Sequence, residues 1–323
     1  MKCVVLAGGY ATRLWPITRH RPKMLLPLGE GAVIDTILAA AEDEPRIDDV
    51  YVSTNRRFRS AFEQFLGERS YDKVQLSIEA TVAEDEKMGV IGALAELFDR
   101  EGIQDDDVLV IGGDNLFSFE LGAFIDFFEG HGEACLAAYD VGSREAASSY
   151  GLVALDGDRV VDFQEKPDDP KSTLVSIACY AFPGEVIPRV ETYLADDNNP
   201  DEPGWFIQWL HRQQPVHAFD FDGVWFDIGT PESYLDAVAW ALDGERSVAE
   251  SATVDDSALG QTVLIGPGAT VTGSTLDRSI VFGDVTLEDA SLRGSIVDEA
   301  ATIADVSLTD TLVGAHSRLN GDD

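Results

Sequence analysis

The sequence predicts an α/β protein whose doubly wound, mainly parallel sheet is followed by a short parallel β-helix. Two observations carry this prediction. Apolar runs typical of strands alternate with helical segments over residues 3–111, in the order β-α-β-α-β-α-β. From residue 251 the pattern changes to a repeat of 17 and then 16 residues, with an apolar position every five or six. The 323 residues therefore divide into domains at 1–242 and 251–323, joined by a polar linker at 243–250.

The strands of the first domain are short apolar runs, and its helices have good helix formers at helical spacing. Strands are predicted at residues 3–6, 50–54, 74–78, 107–111, 132–141, 150–153, 159–163, 174–182, 216–221 and 224–228. Helices are predicted at residues 32–41, 56–66, 88–98, 205–211 and 233–241. Thr230 is a suitable N-cap for the last helix, because Pro231 fits the first helical position.

The tail repeats short motifs about four times, and this repetition predicts one shared aliphatic core. The segments that begin at Ala252, Ala269, Val285 and Ala301 each continue with Thr and an aliphatic residue. Inward aliphatic side chains and small corner residues predict three short faces in each coil. Because a solenoid has exposed coil edges, we expect the protein to oligomerise through this part.

The charge of the chain is unusual and uneven. The formal net charge is −36, with 59 acidic and 23 basic residues. Residues 1–29 have five Lys or Arg and no acidic residue, a charge of +5, so the remainder carries −41. Such an acidic surface argues against nucleic acid or an anionic membrane as a partner. It suits a cytoplasm of very high salt, where screening removes the self-repulsion, so we hypothesise a halophilic source.

Cysteine usage and hydropathy predict a cytoplasmic protein. Cys3, Cys135 and Cys179 are isolated, without a C-x-x-C pair, and are expected to be buried small hydrophobic residues. The apolar run at the N-terminus is too short for a signal peptide, and no segment approaches the length of a membrane span.

The basic stretch at residues 6–28, LAGGYATRLWPITRHRPKMLLPL, has the properties of a polyphosphate site. It follows the first predicted strand, and Gly8 and Gly9 permit a tight turn with little side chain to block a ligand. Its cations are Arg13, Arg19, Arg21 and Lys23. Backbone N–H donors, close approach and unopposed cations are what a polyphosphate requires.

Four acidic or basic residues outside this stretch are candidate site residues because of their positions in the sequence. Asp114 follows the strand at 107–111, where ligands of open α/β sheets bind, but a helix-capping role is equally consistent with its position. Asp227 is likewise either a metal ligand or a structural hydrogen-bonding residue. Glu165 and Lys166 stand at a strand end before Pro167, and by composition alone they are an ordinary exposed charge pair.

These motifs together resemble the signature of the sugar-phosphate nucleotidylyltransferases, or nucleoside-diphosphate-sugar pyrophosphorylases. The segments GGYATRLWPIT and PKMLLP resemble the family pattern G-G-x-G-T-R-L-x-P-x-T followed by P-K-x-L-L-P. Further matches are GDN at 113–115, YG at 150–151, EKP at 165–167 and WFDIGTP at 225–231. Ala11 stands where the family usually has Gly, and Ser176-Ile177-Ala178 replaces its usual Asn-Ala-Gly or Val-Thr-Gly sugar contact.

The resemblance implies a role for each matching residue. Arg13 and Lys23 would be catalytic, and Asp114 and Asp227 would bind Mg²⁺ as the cofactor. The implied substrate-binding residues are Leu6, Gly8, Gly9, Gly89, Asp114, Tyr150, Gly151, Glu165 and Lys166. It also implies that the β-helix is left-handed, as in hexapeptide-repeat proteins.

The implied reaction transfers a nucleotidyl group from a nucleoside triphosphate to a sugar 1-phosphate. UTP or dTTP with glucose 1-phosphate is the expected pair, although residues 84–92 match the family's base-contacting segment only at Gly89 and at 92–94. Two alternatives stay open. One is an inactive homologue that senses sugar nucleotides or acts as a scaffold. The other is a bifunctional enzyme with an acyltransferase β-helix, whose one histidine is His316.

The halophilic hypothesis predicts that KCl stabilises the fold. We expect the Tm to rise by several degrees between dilute buffer and molar KCl, because salt screens the repulsion among the acidic residues. Thermal unfolding followed by circular dichroism measures this, with sucrose as an uncharged control. Equal stability in dilute buffer would refute the hypothesis.

Overall fold

The protein consists of two compact units in a computed structural model that describes residues 1–79 and 88–321. The first unit comprises Met1–Gly8 and Ile37–Trp225, and the second comprises Gly9–Thr36 and Phe226–Asp323. Each unit thus combines segments that are distant in the sequence. The domain boundaries at residues 242 and 250 stay predictions.

Strands and helices alternate over the first half of the chain, as predicted. The strands up to residue 227 are β1 (Lys2–Leu6), β2 (Pro27–Leu28), β3 (Gly31–Ala32), β4 (Asp49–Asn55), β5 (Val74–Glu79), β6 (Val108–Gly112), β7 (Asn115–Phe117), β8 (Ala134–Asp140), β9 (Gly151–Asp156), β10 (Arg159–Glu165), β11 (Leu174–Phe182), β12 (Val216–Asp220) and β13 (Trp225–Asp227). The helices are α1 (Asp35–Asp43), α2 (Arg59–Gly67), α3 (Gly89–Glu101), α4 (Leu121–His131), α5 (Arg144–Ala147), α6 (Ile187–Ala195), α7 (Pro203–Leu210) and α8 (Pro231–Ala241).

The first unit is built on a nine-stranded sheet of order β5-β4-β1-β6-β11-β8-β12-β10-β9. The strands β5, β4, β1 and β6 are mutually parallel, since a helix separates each from the next along the chain. This confirms the predicted α/β fold class. Beyond β6 the sheet is mixed, because β11 runs antiparallel to both β6 and β8, and β9 and β10 form a hairpin.

Helices α3, α6 and α7 cover one apolar cluster of this sheet. Leu97, Val190 and Phe206 from these helices are buried against strand residues that include Val110 and Leu136. Neither α4 nor α6 is predicted from the sequence. In α4, two glycines and three phenylalanines disfavour a helix by propensity, but a fully buried apolar face stabilises it. Among the described residues, no helix is both long and apolar enough to cross a membrane.

The second unit joins the basic stretch to the β-helix. Strands β2 and β3 form a small hairpin within residues 9–36, and the hydroxyl of Tyr234 in α8 donates to the carbonyl of Pro27 at 2.6 Å. Arg278 of the β-helix contacts Asp236 of α8 at 2.6 Å. Residues 9–36 therefore pack with the C-terminal part of the chain, although they are near its start.

The C-terminal strands form three parallel sheets, as the repeat predicts. The strands are β14 (Arg246–Val248), β15 (Thr253–Asp255), β16 (Ala258–Leu259), β17 (Val263–Ile265), β18 (Thr270–Thr272), β19 (Thr275–Asp277), β20 (Ser279–Val281), β21 (Thr286–Glu288), β22 (Ser291–Arg293), β23 (Ile296–Val297), β24 (Thr302–Ala304), β25 (Ser307–Thr309), β26 (Leu312–Val313) and β27 (Arg318–Asn320). Their regular spacing is that of a left-handed β-helix. Arg246 pairs with Val263 and Val263 with Ser279, steps of 17 and 16 residues.

Strand β14 lies within the predicted linker. Only one of its three residues, Val248, is aliphatic, so its composition is that of a polar connection although it pairs in register with β17. Oligomerisation through the β-helix stays a prediction.

The β-helix explains part of the acidic composition. Its interior is filled by aliphatic side chains such as Val271, Leu287 and Ile303, which are fully buried. The chain turns at the corners through residues with positive φ, among them Asp289 (φ 48°) and Asp305 (φ 56°). Aspartate tolerates this conformation better than most residues, so some of the negative charge has a conformational origin.

Candidate active site

The register of three parallel strands brings their carboxyl ends to one edge of the sheet. Leu6, the last residue of β1, lies opposite Ser53 of β4 on one side and Gly112 of β6 on the other. The backbone N–H of Gly113 donates to the carbonyl of Leu6 at 2.9 Å. This is the edge at which open α/β sheets bind ligands. The predicted residues Leu6, Gly8 and Asp114 all lie there.

Two buried polar side chains of β4 hold the start of the glycine turn. The hydroxyl of Thr54 donates to the carbonyl of Ala7 at 3.0 Å, and the amide of Asn55 donates to the carbonyl of Gly8 at 2.8 Å. Both side chains are almost completely buried. They fix the path of the backbone at Ala7 and Gly8, so they are positioning residues. Neither residue was predicted, although two polar residues at the end of a buried strand were a usable signal.

Gly8 and Gly9 differ in what surrounds the backbone. A Cβ at Gly8 would lie 3.0 Å from a carboxylate oxygen of Glu79, so the chain passes there only as glycine or with a shift of Glu79. A Cβ at Gly9 would meet no described atom within 4 Å, and Gly9 is exposed. An open, side-chain-free backbone at Gly9 is suited to a phosphate contact.

Ala11 adopts the conformation that the family's usual glycine would favour. Its φ and ψ are both 48°, in the left-handed region, and the hydroxyl of Thr18 donates to its carbonyl at 2.8 Å. The same carbonyl accepts the N–H of Leu14, which begins the short 3-10 turn Thr12–Leu14. The local structure of the motif is thus kept with alanine, at the conformational cost of a non-glycine residue in this region.

Arg13 lies against the segment that contains Asp227. A Cβ at Gly229 would be 3.0 Å from a guanidinium nitrogen of Arg13, so glycine leaves the room that Arg13 occupies. Thr230 and Ser233 form a reciprocal capping box at the start of α8, which fixes the backbone that follows Asp227. Lys23 is half-buried in the 3-10 turn Lys23–Leu25. Arg13, Lys23 and Asp227 belong to the same compact unit.

Carboxylates of the β-helix neutralise Arg21 of the basic stretch. Its guanidinium contacts Asp298 at 2.8 Å and Glu299 at 2.6 Å, and it lies over the ring of Phe282 at 4.8 Å. Burial raises the pKa of Asp298, and Arg21 opposes that rise. The expectation of four unopposed cations is therefore wrong for Arg21, which anchors the basic stretch to the β-helix.

A chain of hydrogen bonds orients Asp114. The indole N–H of Trp225 donates to the amide oxygen of Asn115 at 2.7 Å, which leaves the amide nitrogen to donate to Asp114 at 2.9 Å. A Cβ at Gly112 would lie 2.6 Å from that amide nitrogen and 3.0 Å from the Asp114 carboxylate. Gly112 therefore makes room for the pair, and Asn115 and Trp225 are positioning residues for Asp114.

The structure brings Tyr150, Gly151, Glu165 and Lys166 together. Gly151 pairs with Glu165 across the β9–β10 hairpin, and the N–H of Lys166 donates to the carbonyl of Tyr150 at 3.1 Å. Lys166 has a positive φ of 44°, and its exposed side chain forms an ion pair with Glu202. Glu165 is buried, so the interpretation of both residues as an exposed charge pair is wrong for Glu165.

Helix α7 and the residue before it complete this cluster. The side-chain oxygen of Gln208 accepts the N–H of Glu165 at 2.9 Å, and a Cβ at Gly204 would overlap the Glu165 carboxylate. Burial raises the pKa of Glu165 from 4.5 to about 7, Lys166 lowers it and Glu202 raises it further. Glu202, Gly204 and Gln208 were not predicted, because they are about forty residues away in the sequence and no motif joins them to Glu165.

Gly89 has a packing role that the sequence does not show. It has a positive φ of 74°, and a Cβ there would lie 2.3 Å from the carbonyl oxygen of Pro200. The N–H of Ile91 donates to the same carbonyl at 2.9 Å. Its predicted contact with substrate stays a prediction. The base-contacting segment begins at residue 84, and residues 80–87 lie outside the described part of the chain.

Comparison with known proteins identifies the family. Residues 2–244, about three quarters of the chain, match the sequence profile described as Nucleotidyl transferase. The chain therefore belongs to the nucleotidyl transferase family. The relatives of this chain described below are sugar-phosphate nucleotidyltransferases.

Two relatives and one solved structure show the extent of this similarity. A provisionally assigned mannose-1-phosphate guanyltransferase of Sulfolobus acidocaldarius is 29% identical over 287 residues, 87% of this chain and 76% of the relative. The mannose-1-phosphate guanylyltransferase of Mycobacterium tuberculosis is 28% identical over 302 residues, 88% of this chain and 80% of the relative. A provisionally assigned glucose-1-phosphate thymidylyltransferase from Bacillus anthracis, crystallised with sucrose, superposes with a TM-score of 0.65 at 24% identity, over 75% of this chain and 96% of that chain. At this identity the structural match shows the fold alone.

The raised pKa of Glu165 predicts a pH-dependent effect of the substitution Glu165→Gln. Because the folded pKa of about 7 lies above the ordinary 4.5, the folded state holds the proton more strongly, and stability falls as pH rises between these values. The Gln variant lacks this fall. Relative to wild type it should gain roughly 3 kcal/mol of unfolding free energy between pH 4.5 and 7.5.

Denaturant unfolding at constant KCl measures this difference, and Asp162→Asn is the matched control. Asp162 is an exposed carboxylate on the same strand, so its substitution should change stability by less than about 0.5 kcal/mol at either pH. If the two variants respond to pH alike, Glu165 has no raised pKa.

Proposed function

We propose that the protein transfers a nucleotidyl group from a nucleoside triphosphate to a sugar 1-phosphate and releases pyrophosphate. The observation that carries this proposal is the combination of family membership with the charged residues of the signature. Arg13, Lys23, Asp114, Lys166 and Asp227 are all present, on a fold that places Asp114 at the ligand-binding edge of the sheet.

The proposed chemistry is a single displacement at phosphorus. A phosphate oxygen of the sugar 1-phosphate forms a bond to the α-phosphorus of the triphosphate, and the bond from this phosphorus to the bridging oxygen of the leaving pyrophosphate breaks. The nucleophilic oxygen is already an anion at neutral pH, so no residue needs to remove a proton. Alignment of the two substrates and neutralisation of charge are the remaining tasks of the protein.

We assign charge neutralisation to Arg13 and Lys23. The room that Gly229 leaves for the guanidinium of Arg13 supports a fixed position for this cation. Gly8 and Gly9 would supply backbone contacts to the triphosphate, and the lack of any described atom within 4 Å of a Cβ at Gly9 is consistent with this role. Tyr10 to Thr18 would then form the wall of the phosphate site around the turn at Ala11.

We assign the divalent ion to Asp114 and Asp227. Carboxylate oxygens are the ligands that Mg²⁺ prefers, so the donor chemistry fits this ion. Asn115 donates to one oxygen of Asp114 and restricts its rotation, as expected of a side chain that supports a ligand. When bound, Mg²⁺ would neutralise charge on the phosphate oxygens.

We assign the sugar 1-phosphate to the cluster around Glu165 and Lys166. The ammonium group of Lys166 is exposed and held near Glu202, from which a phosphate dianion could draw it. The carboxyl group of Glu165 can exchange hydrogen bonds with sugar hydroxyl groups as either donor or acceptor, because its pKa lies near 7.

Three pairs of substrates are candidates. UTP or dTTP with glucose 1-phosphate follows from the signature as a whole. GTP with mannose 1-phosphate is favoured by the two relatives above, whose similarity extends over 87% and 88% of this chain. We therefore expect one of these pairs to be preferred.

A pyrophosphate-release assay tests the function and distinguishes the alternatives. Each of UTP, dTTP, GTP, ATP and CTP is combined with glucose 1-phosphate or mannose 1-phosphate, with Mg²⁺ and molar KCl present. Release that depends on both substrates supports the proposal and identifies the pair. Binding without turnover in every combination would instead favour the inactive, sensing homologue. Addition of acetyl-CoA to a productive pair tests for the bifunctional alternative, since acyl transfer would consume it.

The assignments predict large losses of turnover for two variants. Lys23→Ala and Asp227→Ala should each lower kcat by at least about a hundredfold while the protein stays folded, because each removes charge needed in the transition state. The matched controls are Lys171→Ala and Asp222→Ala, which remove exposed residues of the same types. Wild-type rates for Lys23→Ala or Asp227→Ala would refute the corresponding assignment.

A further inference from the structure

Two histidines and an aspartate converge at the end of the sheet opposite the candidate active site. His131 is the last residue of α4, His217 lies in β12, and Asp158 lies in the turn between β9 and β10. A ring nitrogen of each histidine and a carboxylate oxygen of Asp158 all lie within 4.8 Å of one another. The first unit contains all three residues, and the family signature includes none of them.

The location follows from the strand directions. His217 pairs with Cys135 near the start of β8, and β8 is antiparallel to β11, which is itself antiparallel to β6. The amino end of β8 therefore lies at the edge of the sheet away from Gly112 and Asp114. The length of a strand, roughly 20 Å, separates the two places. This cluster cannot take part in the proposed transfer reaction by direct contact.

Each histidine has one ring nitrogen held by a neighbour and the other directed at Asp158. In His131, Nδ1 lies 2.8 Å from the carbonyl of Phe127 and Nε2 lies 2.8 Å from Asp158. A carbonyl can only accept, so Nδ1 carries a proton, and Nε2 is the ring nitrogen that faces the Asp158 carboxylate. In His217, Nε2 lies 2.8 Å from Glu133 and Nδ1 lies 3.3 Å from Asp158.

This arrangement matches the surroundings of metal-bound histidines. A histidine that ligates a metal donates its other ring N–H to a carbonyl or a carboxylate, which fixes the tautomer and the orientation of the ring. Phe127 provides the carbonyl for His131, and Glu133 provides the carboxylate for His217. The two remaining nitrogens and the Asp158 carboxylate then form a set of three converging ligand atoms, from which a bound metal ion would displace any shared proton.

We propose that His131, Asp158 and His217 bind a divalent transition metal of the zinc class, with Glu133 as a positioning residue. Two imidazoles and one carboxylate are ligands suited to Zn²⁺, whereas Mg²⁺ prefers oxygen ligands alone. Three protein ligands leave a fourth position for water.

The separations require only small movements. Ligand atoms of a tetrahedral zinc site are about 3.3 Å apart, given bonds of about 2.0 Å. His217 Nδ1 lies 3.3 Å from Oδ1 of Asp158, and His131 Nε2 lies 2.8 Å from Oδ2 of the same carboxylate. The centroids of the two imidazole rings lie 4.1 Å apart. A modest rotation of the rings would bring the two ligand nitrogens to the separation that a metal ion requires. The side chain of Asp158 is half exposed, so an ion can enter from solvent.

A bound ion would join three elements that are distant in the sequence. It would link the end of α4, the β9–β10 turn and β12, and so stabilise the folded state by mass action. The β9–β10 hairpin ends at Glu165 and Lys166, so the metal would also stiffen the strands that carry the proposed sugar-phosphate residues.

Titration with Co²⁺ tests the proposal on the full-length protein without a histidine tag. The protein is treated with EDTA, and Co²⁺ is then added at pH 7.5 in molar KCl with excess Mg²⁺, which suppresses non-specific binding by the acidic surface. We expect one Co²⁺ for each chain, with visible absorption of a four- or five-coordinate ion that Zn²⁺ abolishes. Zn²⁺ should also raise the Tm.

Variants identify the ligands. Asp158→Asn, His131→Gln and His217→Gln should each weaken Co²⁺ binding by more than tenfold and remove the effect of Zn²⁺ on the Tm, and Glu133→Gln should weaken binding by about tenfold. Asp156→Asn is the matched control, since it removes the same charge from the end of β9, two residues before Asp158 and outside the cluster. Asp158 is exposed, so its variant remains informative if a histidine variant fails to fold.

Two outcomes would overturn the proposal. One is the absence of stoichiometric Co²⁺ binding, which would mean that the cluster is a hydrogen-bonded network only. The other is equal binding by Asp158→Asn and Asp156→Asn, which would place the ion elsewhere on the acidic surface.

Discussion

The parallel register of β4, β1 and β6 is the constraint on which the candidate active site depends. Because Leu6 lies between Ser53 and Gly112, three strand ends meet at one edge, and the chain leaves the sheet through Ala7 and Gly8 beside Asp114. Thr54 and Asn55 then fix this exit through bonds to two successive carbonyls. A shift of one residue in β1 would move the glycine turn away from these donors and reverse the faces of its side chains.

The second unit constrains the basic part of the signature through contacts with the β-helix. Residues 9–36 belong with the C-terminal part of the chain, and Arg21 is bound by Asp298 and Glu299 of the β-helix. The β-helix therefore fixes the position of the basic stretch through the buried carboxylate of Asp298. Loss of Arg21 would leave the buried carboxylate of Asp298 without its cation, which is costly. This gives the tail a role in supporting the proposed phosphate site that requires no activity of its own.

The sequence predicted the features that local pattern controls. Strand and helix order, the β-helix repeat and the motif residues from Arg13 to Asp227 are readable because each depends on neighbours in the chain. The residues that support them were not readable. Asn55 acts on Gly8, Gln208 acts on Glu165 and Trp225 acts on Asn115 only after the fold has formed, across separations of 43 to 110 residues. The same holds for His131, Asp158 and His217, which no spacing joins.

The account rests on the claim that the fixed backbone at Gly8 presents the glycine turn to a triphosphate. The most direct test is the affinity of Asn55→Ala for the preferred nucleoside triphosphate, measured by calorimetry in molar KCl. The control is Asn198→Ala, which also removes an amide that donates to a backbone carbonyl, that of Tyr193. The account predicts that Asn55→Ala binds the triphosphate at least tenfold more weakly while Asn198→Ala binds it as wild type does. Unchanged affinity in a folded Asn55→Ala protein would contradict it.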